Sequence, residues 1–335
     1  MAIASAFHII PSKIIIAPLN WGLGHATRCI PIIEYLLSEG SEVIIASDGN
    51  ALDFLKKEYP SLKSYSLPAY DITYKQKKIE HSMLLQSPKI AKAILAEKKR
   101  AKEIAQAENP DMILSDNRLG FRVNGIRSIY ITHQVKLISS SHLFSHLGTK
   151  IHQSYLAKFD ACWIPDFEGS LLSGKMSDSP LKIPKHFLGC LSRMTKNNQV
   201  KNPLYDCIAI LSGPEPQRTN LEEILIEMLS KRDQRSLLVR GIVNDTSQHK
   251  SIGNLQIKNF LLSQELQEAI EQSNTIICRS GYSSIMDLHM LDRKAILIPT
   301  PGQTEQEYLG QRAQDSGKHT CILQNDIENN LLKYL

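Results

Sequence analysis

The sequence predicts an α/β protein built from two doubly wound, Rossmann-like domains. Three observations carry that expectation. Short apolar runs alternate with helix-patterned segments along most of the chain, which is the pattern of parallel strands covered on both faces. The chain has 335 residues, more than one hydrophobic core usually fills. Two glycine-bearing turns, Asn20-Trp21-Gly22-Leu23-Gly24-His25 and Cys278-Arg279-Ser280-Gly281-Tyr282-Ser283-Ser284, each follow an apolar run and open a helical pattern. Backbone N–H groups and the helix dipole at such a turn attract an anion. One turn in each half therefore points to a central cleft faced by two nucleotide-type domains.

In order, Ile14–Ala17 reads as a strand and Ala26–Glu39 as a helix, with Ile30, Ile33, Leu36 and Leu37 as its apolar positions. Glu42–Ala46 is a strand, a helix passes through Leu52 and Leu55, and Leu62–Leu67 is a third strand. Pro88–Glu108 reads as a long helix with Ser87 as cap and Pro88 at its first position. Met112–Leu114, Ile129–Ile131 and Cys162–Ile164 complete the first set of strands. Asp166–Pro203 is rich in Gly, Pro and Ser and reads as the connection, so the domains are 1–200 and 201–335. A second alternation follows. Its strands are Cys207–Leu211, Leu237–Val239, Leu255–Phe260, Thr275–Cys278 and Ala295–Ile298, and its helices are Leu221–Leu229, Ser263–Gln272, Ser283–Leu291 and Glu305–Asp315.

Composition narrows the class. Hydrophobic residues make up 42% and charged residues 22%, a globular balance. No apolar stretch reaches the ~20 residues that cross a bilayer, and Met1–Pro11 has neither basic leader nor cleavage site. Six cysteines without a CxxC pair read as reduced thiols of a cytoplasmic protein, not as zinc ligands or disulfides. The net charge of +5 suits an anionic ligand or membrane surface and does not call for nucleic acid.

The second turn carries the sharpest chemistry. Gly281 lets a diphosphate approach the backbone, and Ser283 and Ser284 add hydroxyls and helix-start amides. Asp287, one turn on, can accept both hydroxyls of a ribose. Ser284-x-x-Asp287 also reads as a capping-box-like helix start. Glu305, Gln306 and Glu307, behind Ile298-Pro299-Thr300-Pro301 and Thr304 as cap, can read sugar hydroxyls or simply form an acidic first turn.

Together, Arg279-Ser280-Gly281-Tyr282-Ser283-Ser284-Ile285-Met286-Asp287-Leu288, Ile298-Pro299-Thr300-Pro301 and Glu305-Gln306-Glu307 resemble the donor-binding signature of two-domain GT-B glycosyltransferases, by pattern the family 28 type. Gly22-Leu23-Gly24-His25 resembles that family's N-terminal glycine-rich loop. Thr132-His133-Gln134 resembles its polar loop after a strand, and Ser212-Gly213 the loop opening its second domain. The sequence departs from the family pattern at Asp287, where a Glu is usual. It departs again at Ser212-Gly213-Pro214-Glu215-Pro216-Gln217-Arg218, where two prolines remove N–H donors. With Leu335 soon after Asn325–Leu332, the long C-terminal helix of that pattern is expected to be short or absent.

The resemblance implies inverting transfer of a hexosyl or N-acetylhexosaminyl group without a metal or other cofactor. The donor is a nucleotide-sugar, UDP-linked, and the acceptor a glycan or a lipid-linked glycan. Gly22 and Gly24 join Ser212, Gly213, Ser280, Gly281, Ser283 and Ser284 on the donor, with Arg279 or Arg218 supplying positive charge to the leaving diphosphate. His25, opening a helix whose dipole disfavours its protonation, is the first candidate base. It also reads as a helix cap or phosphate donor. Asp116, after Met112–Leu114, is the second. Arg28, His133 and Gln134 are expected on the acceptor side.

Lys75–Lys102 interleaves basic residues with Met83, Leu84, Leu85, Ile90, Ile94 and Leu95. It reads either as a peripheral membrane contact at the inner face or as a solvated helix; Tyr70 and Tyr74, just before it, would line an acceptor cleft. Two other functions stay open on the same architecture: a nucleotide-sugar epimerase or hydrolase, and a non-catalytic nucleotide-sugar-binding protein. A dinucleotide oxidoreductase fits less well, because Arg28 and Cys29 stand near the place of the third glycine of GxGxxG.

Overall fold

The computed structural model describes residues 2–70, 86–139, 141–196, 202–243 and 250–335. Met1–Asn20 and Gly24–Arg193 form one compact unit, and Met194–Leu335 the body of a second. The boundary expected at 200–201 falls within 197–201, outside the described residues, as do Tyr74 and the first part of the Lys75–Lys102 stretch.

The first unit is a seven-stranded sheet in the order β3-β2-β1-β4-β5-β6-β7, every pair parallel. Its strands are β1 (Lys13–Pro18), β2 (Glu42–Ser47), β3 (Ser64–Ser66), β4 (Met112–Asp116), β5 (Arg127–Ile131), β6 (Ala161–Ile164) and β7 (Lys185–Phe187). Ile14, Ile15 and Ile16 are all fully buried, so consecutive positions of β1 face apolar layers on both sides. That is why the central strands read as unbroken apolar runs rather than alternating ones. The covering helices are α1 (Ala2–Ala6), α2 (Gly24–Ser38), α3 (Gly49–Glu58), α4 (Ser87–Glu108) and α5 (His142–Leu156). Strand order reverses between β1 and β4, where Pro18 pairs with Asp116 at the last register position. Such a switch point leaves a crevice at the carboxyl ends of the strands.

The second unit repeats the scheme as β10-β11-β9-β8-β12-β13-β14. The strands are β8 (Tyr205–Ile210), β9 (Ser236–Val239), β10 (Lys250–Ile252), β11 (Leu255–Lys258), β12 (Ser273–Cys278), β13 (Ile296–Leu297) and β14 (Thr320–Cys321). All pairs are parallel except β10 with β11. Its main helices are α6 (Gln217–Ser230), α7 (Ser263–Glu271), α8 (Tyr282–Leu291) and α9 (Thr304–Asp315), with the short α10 (Ile327–Asn330) near the end. The switch point lies between β8 and β12, where Ile210 pairs with Cys278. Two apolar clusters flank this sheet: Ile208, Ile276 and Leu297 lie in one, and Ala209, Ile277 and Ile296 in the other.

Several local expectations shift. Ser87 is the first residue of α4 rather than its cap, which is Gln86. Gln303, not Thr304, caps α9. The third strand shrinks to Ser64–Ser66, and α5 has no counterpart among the expected elements. All six cysteines are free, and no described helix is long and apolar enough to cross a membrane.

Candidate functional site

At the first switch point, β1 runs through Leu19 and Asn20 into Gly22, whose φ of +70° is left-handed backbone that glycine adopts without strain. Helix α2 then starts at Gly24. This places His25 and, one turn later, Arg28 over the end of β4. Asp116 is fully buried there, and His25, Arg28 and the Cys29 thiol converge on its carboxylate, the thiol donating to Oδ2 at 3.6 Å. His25 Nδ1 lies 2.8 Å from Oδ1, Arg28 Nε donates to Oδ2 at 2.5 Å, and Arg28 Nη2 donates to Oδ1. Arg28 Nη1 also lies 3.0 Å from His133 Nδ1. A guanidinium only donates, so His133 Nδ1 accepts and its proton resides on Nε2.

The same logic fixes His25. A carboxylate accepts, so Nδ1 carries the proton and Nε2 keeps its lone pair. Nε2 makes no hydrogen bond to any described residue, and the His25 side chain retains 13% exposure. Burial, and after it the Arg28 charge, lower the His25 pKa from 6.5 against the opposing pull of Asp116. Burial alone would raise the Asp116 pKa, but Arg28 and His25 outweigh it and hold the carboxyl at about 2. The arrangement is a neutral imidazole held by a permanent carboxylate, with its second nitrogen unbonded to any described residue.

This geometry separates the roles that the sequence left pooled. Asp116, expected as an alternative base, has both oxygens occupied and no exposure; it orients His25. Arg28, expected to hold an acceptor anion, is buried between Asp116 and His133. Gln134 N donates to Thr132 Oγ1 at 3.0 Å, a turn that shapes the loop after β5.

A second buried network lies beside the first, and sequence reasoning missed it. Arg118 is fully buried. It donates from Nε to the Pro18 carbonyl at 2.9 Å, from Nη1 to Glu97 Oε1 at 2.8 Å and from Nη2 to Asp48 Oδ1. Tyr70 donates to Glu97 Oε2 at 2.9 Å, so its hydroxyl is held within the unit. Arg118 thus ties β1, β2 and α4 together one residue beyond Asn117, whose φ of +57° lets Asp116 and Arg118 serve different networks.

At the second switch point, β8 ends in Ser212-Gly213, with Gly213 at φ +104°. A Cβ on Gly213 would lie 3.7 Å from Thr300 Oγ1, which places this loop beside the one after β13. β12 continues through Arg279 and Ser280 to Gly281, the extended N-cap of α8. Ile285 N–H bonds the Gly281 carbonyl at 3.1 Å. Ser283 and Ser284 therefore sit inside the first helical turn, and Ser284 is not a cap. The capping-box reading of Ser284-x-x-Asp287 is thereby corrected. Asp287 is partly buried one turn further on. A Cβ built on Gly281 meets no atom within 4 Å, so the approach to this helix start is open.

The two arginines expected to meet a diphosphate are committed elsewhere. Arg279 is fully buried and donates to the carbonyls of Ile298, Pro299 and Gln217 and to Gln324 Oε1. It braces the ends of β12 and β13 against the start of α6, and burial lowers its pKa to about 10. Arg218 pairs with Glu215 and Glu222. Ser280 Oγ donates to the Gln306 carbonyl at 2.7 Å. Gln306 Oε1 in turn accepts from Thr300 N and Oγ1, each at 3.0 Å. Glu307 accepts from Gly302 N–H at 2.9 Å, and Glu305, partly buried, stands at the first turn of α9. Ser280 and Gln306 thus hold the loop after β13 in place, which is why a charge-and-hydroxyl motif looked richer in ligands than it is. Among the described residues no group of three or more His, Cys, Asp or Glu side chains could hold a metal ion.

Residues 219–335 match the glycosyltransferase family 28 C-terminal domain. Over 247 residues the chain is 22% identical to a UDP-N-acetylglucosamine--N-acetylmuramyl-(pentapeptide) pyrophosphoryl-undecaprenol N-acetylglucosamine transferase of Haemophilus influenzae, covering 70% of this chain and 65% of that protein. Over 326 residues it is 21% identical to an uncharacterized glycosyltransferase of Methanosarcina mazei, covering 88% and 81%. Its fold matches that of a Streptomyces sp. SF2575 glycosyltransferase complexed with thymidine diphosphate, with a TM-score of 0.60, 13% identity and coverage of 92% and 87%. The chain thus has the GT-B fold and resembles the family 28 glycosyltransferases, whose C-terminal domain residues 219–335 match.

Proposed function

We propose that the protein is an inverting hexosyltransferase that uses a UDP-sugar donor and a glycan or lipid-linked acceptor. The observation that carries this reading is the open N-terminus of α8 at Gly281, inside the matched C-terminal domain. A diphosphate set there meets helix-start amides and the positive end of the helix dipole. Asp287, on the next turn, reaches the ribose hydroxyls, with Glu305 and Glu307 near the sugar. Backbone amides rather than a bound cation take up the leaving-group charge.

In the first unit, His25 Nε2 accepts the proton of the acceptor hydroxyl. That oxygen bonds the anomeric carbon as the bond from this carbon to the diphosphate oxygen breaks, and the nucleoside diphosphate departs with the electron pair. Asp116 holds the imidazole in the required tautomer and stabilises the imidazolium that forms. Six free cysteines fit a reducing compartment.

The test is a thermal-shift series with UDP, TDP, GDP and ADP. A ligand that binds only the folded state raises the melting temperature by mass action. UDP is expected to stabilise the protein, and Asp287→Ala to weaken that stabilisation about tenfold in apparent affinity. No response to any nucleotide would overturn the proposal.

A further inference from the structure

Arg28 lies at the centre of the first site, yet the proposed transfer gives it no part. Its side chain is 2% exposed, so it acts on its neighbours and not on a ligand. The fork of its guanidinium covers both Asp116 oxygens, with Nε on Oδ2 at 2.5 Å and Nη2 on Oδ1. Its third nitrogen, Nη1, donates to His133 Nδ1 at 3.0 Å. These partners lie 88 and 105 positions away in sequence, so one guanidinium joins α2, the end of β4 and the loop after β5. Bidentate geometry on a buried carboxylate fixes both partners in direction as well as in charge.

Charge comes first. A carboxylate bonded to an imidazole N–H favours the imidazolium, and Asp116 by itself would hold His25 protonated and unfit to accept a proton. The charged and titratable groups around His25 are Arg28 on its own helix, Asp116 from β4 and His133 from the loop after β5. The Cys29 thiol, on Asp116 Oδ2, is pushed well above its usual value by burial and stays neutral. Arg28 offsets Asp116, so burial decides, and His25 titrates below the usual 6.5. Hydrogen-bond direction comes second. Nη1 takes the lone pair of His133 Nδ1, the basic nitrogen of a neutral imidazole whose proton is on Nε2. His25 holds the opposite tautomer, with its proton on Nδ1 and its lone pair on Nε2. We propose that Arg28 is a positioning residue that selects the base: it offsets the Asp116 charge beneath His25 and occupies the basic nitrogen of His133, which leaves His25 as the proton acceptor of the pair. The catalytic consequence rests on the transfer reaction proposed above; the two tautomers do not.

The experiment is long-range proton–nitrogen NMR of the full chain carrying ¹⁵N-labelled histidine, titrated from about pH 4 to about pH 8 without nucleotide. The parent is expected to show His25 with its proton on Nδ1, His133 with its proton on Nε2, and a His25 midpoint below 6.5. Arg28→Met should raise that midpoint by about one pH unit or more and release His133 from its single tautomer. Arg28→Lys, which keeps the charge, should bring the His25 midpoint back toward the parent. In Arg28→Met the acid limb of kcat should move upward with the NMR midpoint, while the donor KM changes less than about twofold. A merely structural role would lower the melting temperature and leave the midpoint in place. Should Arg28→Met fail to fold, Arg28→Met/Asp116→Asn removes both charges, and its His25 midpoint should stay at or below the parent's. Three results would overturn the proposal: a parent His133 with its proton on Nδ1, an unmoved His25 midpoint in Arg28→Met, or a raised one in the double variant. Spectra as expected with no sugar transfer from any nucleotide-sugar would leave the Arg28 assignment standing and end the transfer reading instead.

Discussion

The two switch points share a topology and divide the chemistry between them. In the first unit, the end of β4 is crowded with ionisable side chains: Asp116 with His25 and Arg28, and Arg118 with Asp48 and Glu97 close by. The His25 side chain keeps 13% exposure. In the second unit the arginines at the strand ends are turned into the framework. Arg279 is spent on carbonyls and Arg218 on carboxylates, and what remains open is backbone at Gly281. Under the proposed reading, one parallel sheet offers its ligand a side chain of tuned basicity and the other a helix start. Moving a proton requires a group that can change its charge, whereas holding a diphosphate requires donors that cannot.

The largest effect should follow from removing the proposed base. His25→Ala is expected to lower kcat by on the order of 10²–10⁴-fold while leaving the UDP-induced thermal shift intact. A kcat within threefold of the parent would end the assignment. The pH profile sharpens the same point. His25 has its pKa lowered from 6.5 in the folded protein, so it works as a base down to a lower pH than a free imidazole. The acid limb of kcat should therefore fall below pH 6.5 and vanish in the alanine variant.

Asp116→Asn tests the partner of that base through stability. The substitution leaves the buried Arg28 charge without its counter-ion, a loss of about 3–5 kcal/mol, readable as a drop in urea midpoint. The linkage has a definite sign. The folded pKa of about 2 lies below the usual 3.8, so Asp116 contributes stability above pH 3.8, worth about 2 kcal/mol. That contribution fades as pH falls toward 2. The parent should lose this increment across the window and the Asn variant should not.

How much of this was legible depended on sequence distance and on which way a residue faces. Both turns could be read because an apolar strand, a glycine and a helix start lie within about fifteen residues of one another. The pairing of His25 with Asp116 spans 91 positions, and that of Arg118 with Asp48 spans 70. No local pattern encodes either, although each acid could be placed at a strand end. Arg279 and Ser280 misled for a physical reason: polar groups beside a glycine turn look like ligands until their burial is known. Helix α5 escaped because its apolar row, Leu143, Leu147 and Ile151, is exposed, so the apolar periodicity of a core-packed helix did not mark it.

In the second unit, Gly281→Leu should weaken UDP binding tenfold or more, because the side chain fills the space through which a diphosphate reaches the amides. Its backbone, at φ −69° and ψ 147°, accepts any residue, so the unfolding free energy without nucleotide should fall by no more than a lost cap permits, about 1 kcal/mol. A variant that binds UDP normally would mean that the ligand lies elsewhere.

The smallest effect on binding, and the one that most directly tests the division of labour, belongs to Arg279→Lys. The planar guanidinium reaches four acceptors on three segments, and a lysine ammonium cannot reproduce that fork. Stability should drop by about 1–3 kcal/mol as buried carbonyls lose donors. UDP affinity should change less than about threefold, since the arginine touches the framework and not the ligand. If affinity instead collapsed while the melting temperature held, the guanidinium would be a diphosphate ligand, and the contrast between a charged first unit and a backbone-lined second would be lost.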